Sequence, residues 1–289
     1  MRYQFLRFPE GKAKAVTLSY DDGCVADLRF SDVITKAGLK CTFNINGNAH
    51  RKGVVSDEQF EEYMYARGHE LAVHGAFHRA PGLQRPIEGI RDVLDCRLEL
   101  EKRFNRIIRG MAYPDSGIRL MENGASYESI KKYLTDLGIV YSRALGGDNN
   151  TFRLPADWHA WMPTAHHGNP QIMEWIDQFV AIHPKEGYIS GHYPRLFYLW
   201  GHSFEFDRND NWDLLDKICD KLGGHEDIWY ATNIEIYDYV QAYQSLVYSA
   251  DGNRIYNPTL YTVWMEIDGT TYSISSGETL LLNKTEITK

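Results

Sequence analysis

The chain has 289 residues, of which 43% are hydrophobic and 24% are charged. This length and mixture exclude a short peptide module, a disordered chain and a fibrous repeat, and they predict a soluble, folded protein. Because 31 Lys and Arg stand against 39 Asp and Glu, the net charge is −8. A surface of that sign disfavours a nucleic-acid partner.

Targeting signals and cysteine spacing bear on where the protein works. No apolar stretch approaches the roughly 18 residues of a membrane helix, and the N-terminal segment has no signal-peptide pattern. The four cysteines are far apart in sequence, which is typical of reduced, structural cysteines. We therefore expect a cytoplasmic protein without a membrane partner.

Strands alternate with helices along the first 246 residues. Period-two and short apolar runs predict strands over 15–20, 41–45, 70–74, 109–113, 139–142, 188–191, 197–201 and 228–230. Helical spacing predicts helices that begin near residues 25, 56, 87, 126, 171, 212 and 235. This alternation predicts an α/β fold with a parallel sheet, and about seven such units favour a closed or nearly closed (β/α) barrel.

The sequence pattern changes after residue 248, where the alternation of strands and helices ends. Turn signals there separate the alternating segments VWMEI, TYSI and TLLL, so we predict a barrel domain over 1–248 and a small all-β appendage over 249–289. The appendage contains no titratable cluster. We therefore expect it to pack against the barrel or at the substrate edge and to carry no chemistry.

Four groups of polar residues directly follow predicted strands. The carboxyl ends of parallel strands meet at one edge, where ligands bind in such folds, so these groups should converge. They are Asp21 with Asp22, His74 with His78, Tyr113 with Pro114, and His202.

Two of these groups together have the composition of a metal site. The adjacent carboxylates of Asp21 and Asp22 repel each other unless a cation or proton separates them, although a helix N-cap with a solvated neighbour is an alternative. The motif His74-x-x-x-His78 lacks the Glu of zinc proteases. With Asp22 it gives two nitrogens and one oxygen, a set that suits Zn²⁺ or a similar divalent ion and leaves a position for water.

The ordered strings VTLSYDDG, HGAFH, Ala112-Tyr113-Pro114 and LWGHSFEF resemble the motifs of the polysaccharide deacetylases. This carbohydrate esterase family includes chitin, peptidoglycan and acetylxylan deacetylases. The resemblance covers roughly residues 14–245. It implies a distorted (β/α) barrel, a metal-assisted removal of acetyl groups and an acetylated oligosaccharide as substrate.

The resemblance also implies roles for the aspartates and histidines of the first two motifs. Asp21 matches the general base, and Asp22, His74 and His78 match the metal ligands. Zinc is the favoured ion, with cobalt, nickel and manganese as alternatives. A metal held by these ligands would polarise the acetyl carbonyl and lower the pKa of a bound water toward about 7, and Asp21 would take the proton of that water.

The later motifs resemble those that complete the family's reaction. His202 resembles the late histidine that acts as general acid, since an imidazole has an ordinary pKa of about 6.5 and can be charged at working pH. The backbone N–H of Tyr113 matches the donor to the oxyanion. Leu199 or Trp200 would help to form the wall of the acetyl pocket.

One position departs from the family pattern. An Arg that holds the base carboxylate usually stands two residues before the Pro of the third motif, but here that position is Ala112. Two substitutes for a partner of Asp21 remain open. Arg109 could face inward by period-two alternation or lie on the surface, and Arg143 follows the next strand.

A fourth family motif is matched only loosely, by residues 157–167. His166 and His167 could contact sugar hydroxyls or tune the acid histidine, or they could be loop residues without a role. For Trp161 and Trp200, stacking on a sugar ring competes with packing in the barrel.

The favoured function is therefore a metal-dependent deacetylase of an N- or O-acetylated sugar. One alternative is a hydrolase of a non-sugar amide, as in the cofactor-independent allantoinases related to this family. Those often lose metal ligands, whereas Asp22, His74 and His78 are all present here. The other alternative is a non-catalytic carbohydrate-binding barrel, which the presence of Asp21 and His202 disfavours.

Overall fold

The computed structural model describes residues 2–47, 53–145, 147–183 and 189–282. None of the helices in these ranges is both long and apolar enough to cross a membrane. The strands are β1 Gln4–Arg7, β2 Lys14–Asp21, β3 Cys41–Ile45, β4 Glu70–Val73, β5 Gly110–Ala112, β6 Tyr141–Arg143, β7 Ala165–His166, β8 Arg195–Gly201, β9 Ile228–Tyr230, β10 Val247–Tyr248, β11 Arg254–Tyr256, β12 Val263–Ile267, β13 Thr270–Ile274 and β14 Thr279–Leu281. The helices are α1 Ala26–Lys36, α2 Asp57–Tyr63, α3 Pro86–Phe104, α4 Tyr127–Asp136, α5 Ile172–Val180, α6 Phe204–Arg208, α7 Trp212–Leu222 and α8 Asn233–Gln244.

A parallel sheet forms the centre of the molecule. Its strand order is β6-β5-β4-β3-β2-β8-β7, and β9 pairs with the first half of β2. An irregular segment that includes Trp161 and Thr164 connects the two ends of the sheet. At one end, Trp161 forms a bridge with Arg143, the last residue of β6. At the other end, Thr164 N donates to Tyr198 O on β8 at 2.7 Å. The sheet therefore forms a distorted (β/α) barrel, as the sequence predicts.

Apolar side chains fill both sides of this sheet. One cluster packs the outer faces of the strands against the helices and includes Leu18, Phe30 and Leu199. A second cluster includes Tyr141, Trp161 and Tyr198, side chains from the strands and the connecting segment. The four cysteines are unpaired, as predicted.

Local sequence signals agree with the structure in most elements. The helix predicted to begin near residue 56 is α2, and Ser56 and Gln59 form a capping box at its start. The predicted strand at 188–191 is wrong in its described part, because Ile189–His192 is a 3₁₀ helix and residue 188 lies outside the described ranges. The carbonyl of His192 accepts a hydrogen bond from the side chain of Arg7, at 2.7 Å from Nη1. This side chain takes the place of a strand neighbour.

The N-terminal strand joins the C-terminal strands. β1 pairs antiparallel with β12, which pairs with β13, and β10, β11 and β14 form a second small sheet. The fully buried pair Arg7 Nη2–Glu266 Oε2 (2.5 Å) fixes this arrangement, and His192 Nδ1 lies 2.6 Å from Glu266 Oε1. The division into 1–248 and 249–289 stays a prediction.

A buried carboxyl lies at the start of β4. Glu70 accepts hydrogen bonds from Tyr141 Oη at 2.6 Å, from Thr42 Oγ1 at 2.7 Å and from Ile234 N at 2.9 Å. Burial raises the pKa of Glu70 to about 7, although these hydrogen bonds oppose the shift. The folded protein therefore keeps a proton on Glu70 at pH values where the unfolded chain has lost it.

We predict that Glu70 makes the protein less stable as the pH rises from about 4.5 to about 7. Over that window the unfolded chain is ionised at this residue and the folded chain is not, so the free energy of unfolding falls by roughly 3 kcal/mol. Urea unfolding at several pH values should show this slope, and Glu70→Gln should reduce it. The exposed Glu62→Gln variant is the control; equal slopes in both variants would contradict the assignment.

Candidate active site

The two carboxylates after β2 have different surroundings. Asp21 is the last residue of β2 and is buried, whereas the side chain of Asp22 is 23% exposed. Asp22 N donates to Asn44 O at 2.9 Å, which continues the pairing with β3. The backbone of Asp22 is left-handed, with φ of 79°, a conformation that Asp adopts more readily than most residues. The turn therefore places one carboxylate inside the barrel and the other at its mouth.

Asp21 forms a buried ion pair with Arg143. Arg143 Nη1 and Nη2 lie 3.0 and 2.5 Å from the two carboxylate oxygens, and Arg143 is fully buried. Burial by itself raises the pKa of Asp21, but the charge of Arg143, followed by electrostatic interactions with His74 and His202, outweighs it and lowers the pKa to about 2. Of the two candidate partners of Asp21, Arg143 is therefore the one that binds its carboxylate. Arg109 instead pairs with Asp238 at 2.5 Å.

The three predicted metal ligands converge. Asp22 Oδ1 lies 3.6 Å from His78 Nε2 and 4.0 Å from His74 Nε2. His74 Nδ1 lies 2.9 Å from the carbonyl of Ala112, so Nδ1 carries the proton and the lone pair of Nε2 faces the other ligands. Burial lowers the pKa of His74, which favours the neutral, metal-binding form. His78, like Asp22, has a left-handed backbone, with φ of 55°.

This set fits a divalent ion. Ligand atoms about 2.0–2.2 Å from one tetrahedral ion are separated by roughly 3.3–3.6 Å, close to the separations of Asp22 from the two imidazoles. Two nitrogens and one oxygen suit zinc and its first-row neighbours. Side chains of Asp22 and His78 are 23% and 35% exposed, so one side of the ligand set is open to substrate or water.

His202 lies between two carboxylates. Its Nε2 is 3.9 Å from Asp21 Oδ2, and its Nδ1 is 3.6 Å from Glu205 Oε1. Burial by itself lowers the pKa of His202, but Glu205 and then Asp21 outweigh it and raise the pKa above its ordinary value. A protonated imidazole is thereby favoured beside an ionised carboxylate. Sequence analysis did not identify Glu205, although it follows His202 by three residues at the start of α6, a spacing that brings side chains close together.

Glu205 also binds the two histidines of the loosely matched motif. His166 Nε2 and His167 Nε2 lie 2.9 and 3.2 Å from Glu205 Oε2. His166, His202 and Glu205 are close enough to hold an ion. However, Gly168 N donates to His166 Nδ1 at 3.0 Å, which uses that lone pair and places the proton of a neutral imidazole on Nε2, the atom that faces Glu205. We therefore interpret this group as a cluster of ionic contacts and not as a metal site.

Asn44 of β3 and Asn46, the residue after this strand, were also missed by sequence analysis. Asn44 Nδ2 donates to Asp21 Oδ1 at 2.9 Å, and Asn46 Nδ2 donates to Asp22 Oδ1 at 3.1 Å. They are two residues apart at a strand end, which places both side chains on one face. Each amide therefore orients one of the two carboxylates.

Four predicted roles are corrected by burial or by hydrogen bonding. Trp161 and Leu199 are fully buried and His167 is 2% exposed, so none of them offers a surface to a sugar. Leu199 packs in the cluster against the helices, opposite in alternation to Trp200. The backbone N–H of Tyr113 donates to Arg143 O at 3.1 Å and is not available to an oxyanion in this structure.

Trp200 and His166 are the two predicted substrate contacts that remain partly exposed. Arg143 Cζ lies 4.6 Å from the centre of the Trp200 ring, and the rings of Trp200 and His166 meet edge to face at 4.6 Å. Both side chains border the Asp21–His202 pair. Their contact with substrate stays a prediction.

The three-ligand group and the Asp21–His202 pair lie together at one edge of the barrel sheet. We compared the chain with known protein families. Residues 9–142 match the model of the family described as polysaccharide deacetylase. The resemblance predicted from the motifs is therefore confirmed.

Solved structures support the fold. The candidate polysaccharide deacetylase from Mycobacterium smegmatis is 16% identical with a TM-score of 0.58, over 84% of this chain and 96% of that one. The Xyl-CE4 domain of a multidomain xylanase from the hindgut metagenome of Trinervitermes trinervoides is 13% identical with a TM-score of 0.51, over 79% and 92% of the two chains. At these identities the similarity concerns the fold alone. No curated protein gave a significant match.

We predict that Asp22→Ala and His74→Ala each lower metal affinity at least about tenfold, because each removes one ligand atom from the group. Elemental analysis after dialysis against zinc should show stoichiometric metal in the unmodified protein and far less in the two variants. His225→Ala, outside both histidine clusters, is the control. Full metal content in either ligand variant would show that the assignment is wrong.

Proposed function

We propose that this protein is a metal-dependent hydrolase that removes acetyl groups from a carbohydrate. One observation carries the proposal. An ionised, buried carboxylate, Asp21, lies within 3.9 Å of the imidazoles of both His74 and His202, so a base, an acid and a metal-ligand group share one strand edge. The family match over residues 9–142 supports the choice of an acetyl group as the group removed.

The chain's own residues would divide the work of the reaction. A divalent ion held by Asp22, His74 and His78 would polarise the acetyl carbonyl and lower the pKa of a water molecule. Asp21, held in place by Arg143 and Asn44, would accept the proton of that water. His202, with its raised pKa, would donate a proton to the departing amine or alkoxide.

The substrate would be a neutral acetylated oligosaccharide. Trp200 and His166 offer a flat apolar ring and a polar edge beside the reacting groups, a combination that suits a sugar. The net charge of −8 disfavours a polyanionic polymer. The same base and acid serve N-acetyl and O-acetyl groups. Zinc as the metal and a cytoplasmic location stay predictions from the sequence.

The proposal is tested with zinc-loaded protein and an acetate-release screen over acetylated xylo-oligosaccharides, chito-oligosaccharides and N-acetylglucosamine. We predict release from at least one of them, and a loss of about 10²–10⁴-fold in turnover for Asp21→Asn, which removes the proton acceptor. Asp21→Asn should keep its metal, because Asp21 is not one of the three ligands.

The exposed Asp136→Asn variant is the control for a carboxylate-to-amide change. Normal turnover by Asp21→Asn would remove Asp21 from the role of base. If no sugar releases acetate, small amides are the next substrates to assay, since a non-sugar amide hydrolase would use the same groups.

We predict that Glu205→Gln moves the basic limb of the kcat/KM profile to lower pH by about one unit. Glu205 raises the pKa of His202, and removal of a nearby opposite charge lowers the pKa of an imidazole by this order. The matched control is Asp207→Asn, an exposed carboxylate two residues along the same helix. An unmoved basic limb in Glu205→Gln would mean that His202 does not set it.

A further inference from the structure

A buried carboxyl that the proposed chemistry does not use lies in the first turn of α1. This residue, Asp27, is fully buried. Its Oδ1 accepts a hydrogen bond from Ser203 Oγ at 2.5 Å, and its Oδ2 is buried without a hydrogen-bond partner among the described residues. A buried carboxyl with an unsatisfied oxygen lowers the stability of a protein. Packing alone therefore does not account for an Asp at this position.

The hydrogen bond between Asp27 and Ser203 joins two segments that both carry reacting groups. Asp27 lies just after the turn that holds Asp21 and Asp22, and its N donates to the carbonyl of Cys24 in that turn at 2.9 Å. Ser203 lies between the end of β8 and the start of α6, directly after the proposed acid. The bond therefore links the segment of the base and the first metal ligand to the segment of the acid.

The thiol of Cys24 extends this link. Cys24 Sγ lies 3.1 Å from Ser203 Oγ, and because that hydroxyl donates its proton to Asp27, the thiol is the donor in this contact. Ser203 is fully buried, so water does not compete for its hydroxyl. Glu205 N donates to the carbonyl of His202 at 3.1 Å. A displacement of Ser203 would therefore move His202 and Glu205 together.

The separation between the proposed base and the proposed acid is not fixed by a hydrogen bond between them. Asp21 Oδ2 and His202 Nε2 are 3.9 Å apart, which is beyond hydrogen-bond distance. Contacts of the two segments set their relative position, and an error of about 1 Å in such a position can lower a rate about a hundredfold. We propose that Asp27, acting through Ser203, is a positioning residue that holds His202 at its working distance from Asp21. The inference rests on the proposed function.

The test uses two substrates that differ in their need for an acid. The alkoxide or amine of a sugar is a strong base that leaves with a proton from His202, whereas p-nitrophenolate is a weak base that leaves without one. On zinc-loaded protein, Ser203→Ala and Asp27→Ala should each lower kcat for the acetylated sugar about tenfold to a hundredfold. The KM for that sugar and the turnover of p-nitrophenyl acetate should stay close to those of the unmodified protein.

Asp27→Asn is the conservative variant, because the amide oxygen can still accept the hydrogen bond from Ser203 Oγ. Burial raises the pKa of Asp27 to about 7, although the hydrogen bond from Ser203 opposes the shift, so a neutral side chain is a close substitute near that pH. Asp27→Asn should therefore restore most of the kcat that Asp27→Ala loses. The double variant Ser203→Ala/Asp27→Ala should lose no more than either single variant, since both changes break the same bond.

Ser245→Ala is the control for removal of a serine hydroxyl, because Ser245 Oγ donates to Gln241 O at an exposed helix end. It should leave both substrates unaffected. If Asp27→Ala does not fold, the comparison of Ser203→Ala with Asp27→Asn decides. An equal loss on both substrates, an additive loss in the double variant, or an unchanged sugar kcat in Ser203→Ala would overturn the proposal. Loss of metal from Ser203→Ala would also overturn it, because the link would then hold Asp22 and not His202.

A failure of the proposed function is recognised separately, as the absence of acetate release from every substrate, including p-nitrophenyl acetate. In that case the NMR signals of the His202 imidazole, assigned with His202→Gln, decide the positioning role without turnover. Displaced signals in Ser203→Ala, with unmoved signals in Asp27→Asn and Ser245→Ala, support it. Unmoved signals in Ser203→Ala refute it.

Discussion

The buried ion pair between Asp21 and Arg143 is the constraint on which the site depends. Asp21 ends β2 and Arg143 ends β6, strands that are not neighbours in the sheet, so the pair crosses the inside of the barrel. Two charges removed from water contribute little net stability, but loss of one partner leaves the other uncompensated, at a cost of about 3–5 kcal/mol. The barrel must therefore close in the register that brings these two strand ends together.

The same pair explains the contrast between the two aspartates. Arg143 keeps Asp21 ionised inside the barrel despite its burial, while Asp22 remains partly exposed among imidazoles that offer lone pairs. The side chain of Trp200 covers the guanidinium of Arg143 and so limits the access of water to the pair. Adjacent residues of one type thereby acquire different chemistry from their surroundings alone.

Most of the fold and the central residues could be predicted from the sequence because both depend on local patterns. Strand–helix alternation is a periodicity, and the candidate ligands follow strand ends. The choice between Arg109 and Arg143 was not local, since it depends on which strand end faces Asp21 across the barrel. Leu199 failed as a sugar contact for a similar reason, because the face of β8 that points inward depends on how this strand is placed in the sheet. Trp161 lies outside the named strands, and its position depends on the bridge to Arg143 between distant parts of the chain.

Glu205 is a site residue that the sequence analysis missed, although its spacing from His202 pointed to it. Its spacing from His202 is that of neighbours on one helical turn, yet its importance comes from His166 and His167, which approach it from a distant part of the chain. Glu205 has three imidazole neighbours, and its pKa is lowered because its interactions with His166 and His202 outweigh its burial. The site thus has an anionic centre on each side of His202, which only the tertiary structure reveals.

The pairing of β1 with β12 has a consequence for the order of folding. Arg7 and Glu266 are 259 positions apart, so during synthesis β1 has no partner until almost the whole chain is available, whereas neighbouring β2 and β3 can pair early. Contacts this distant in sequence form slowly because their loop entropy must be overcome first. The first strand in the sequence is therefore among the last to be placed, and until then it is an unpaired edge that other chains could bind.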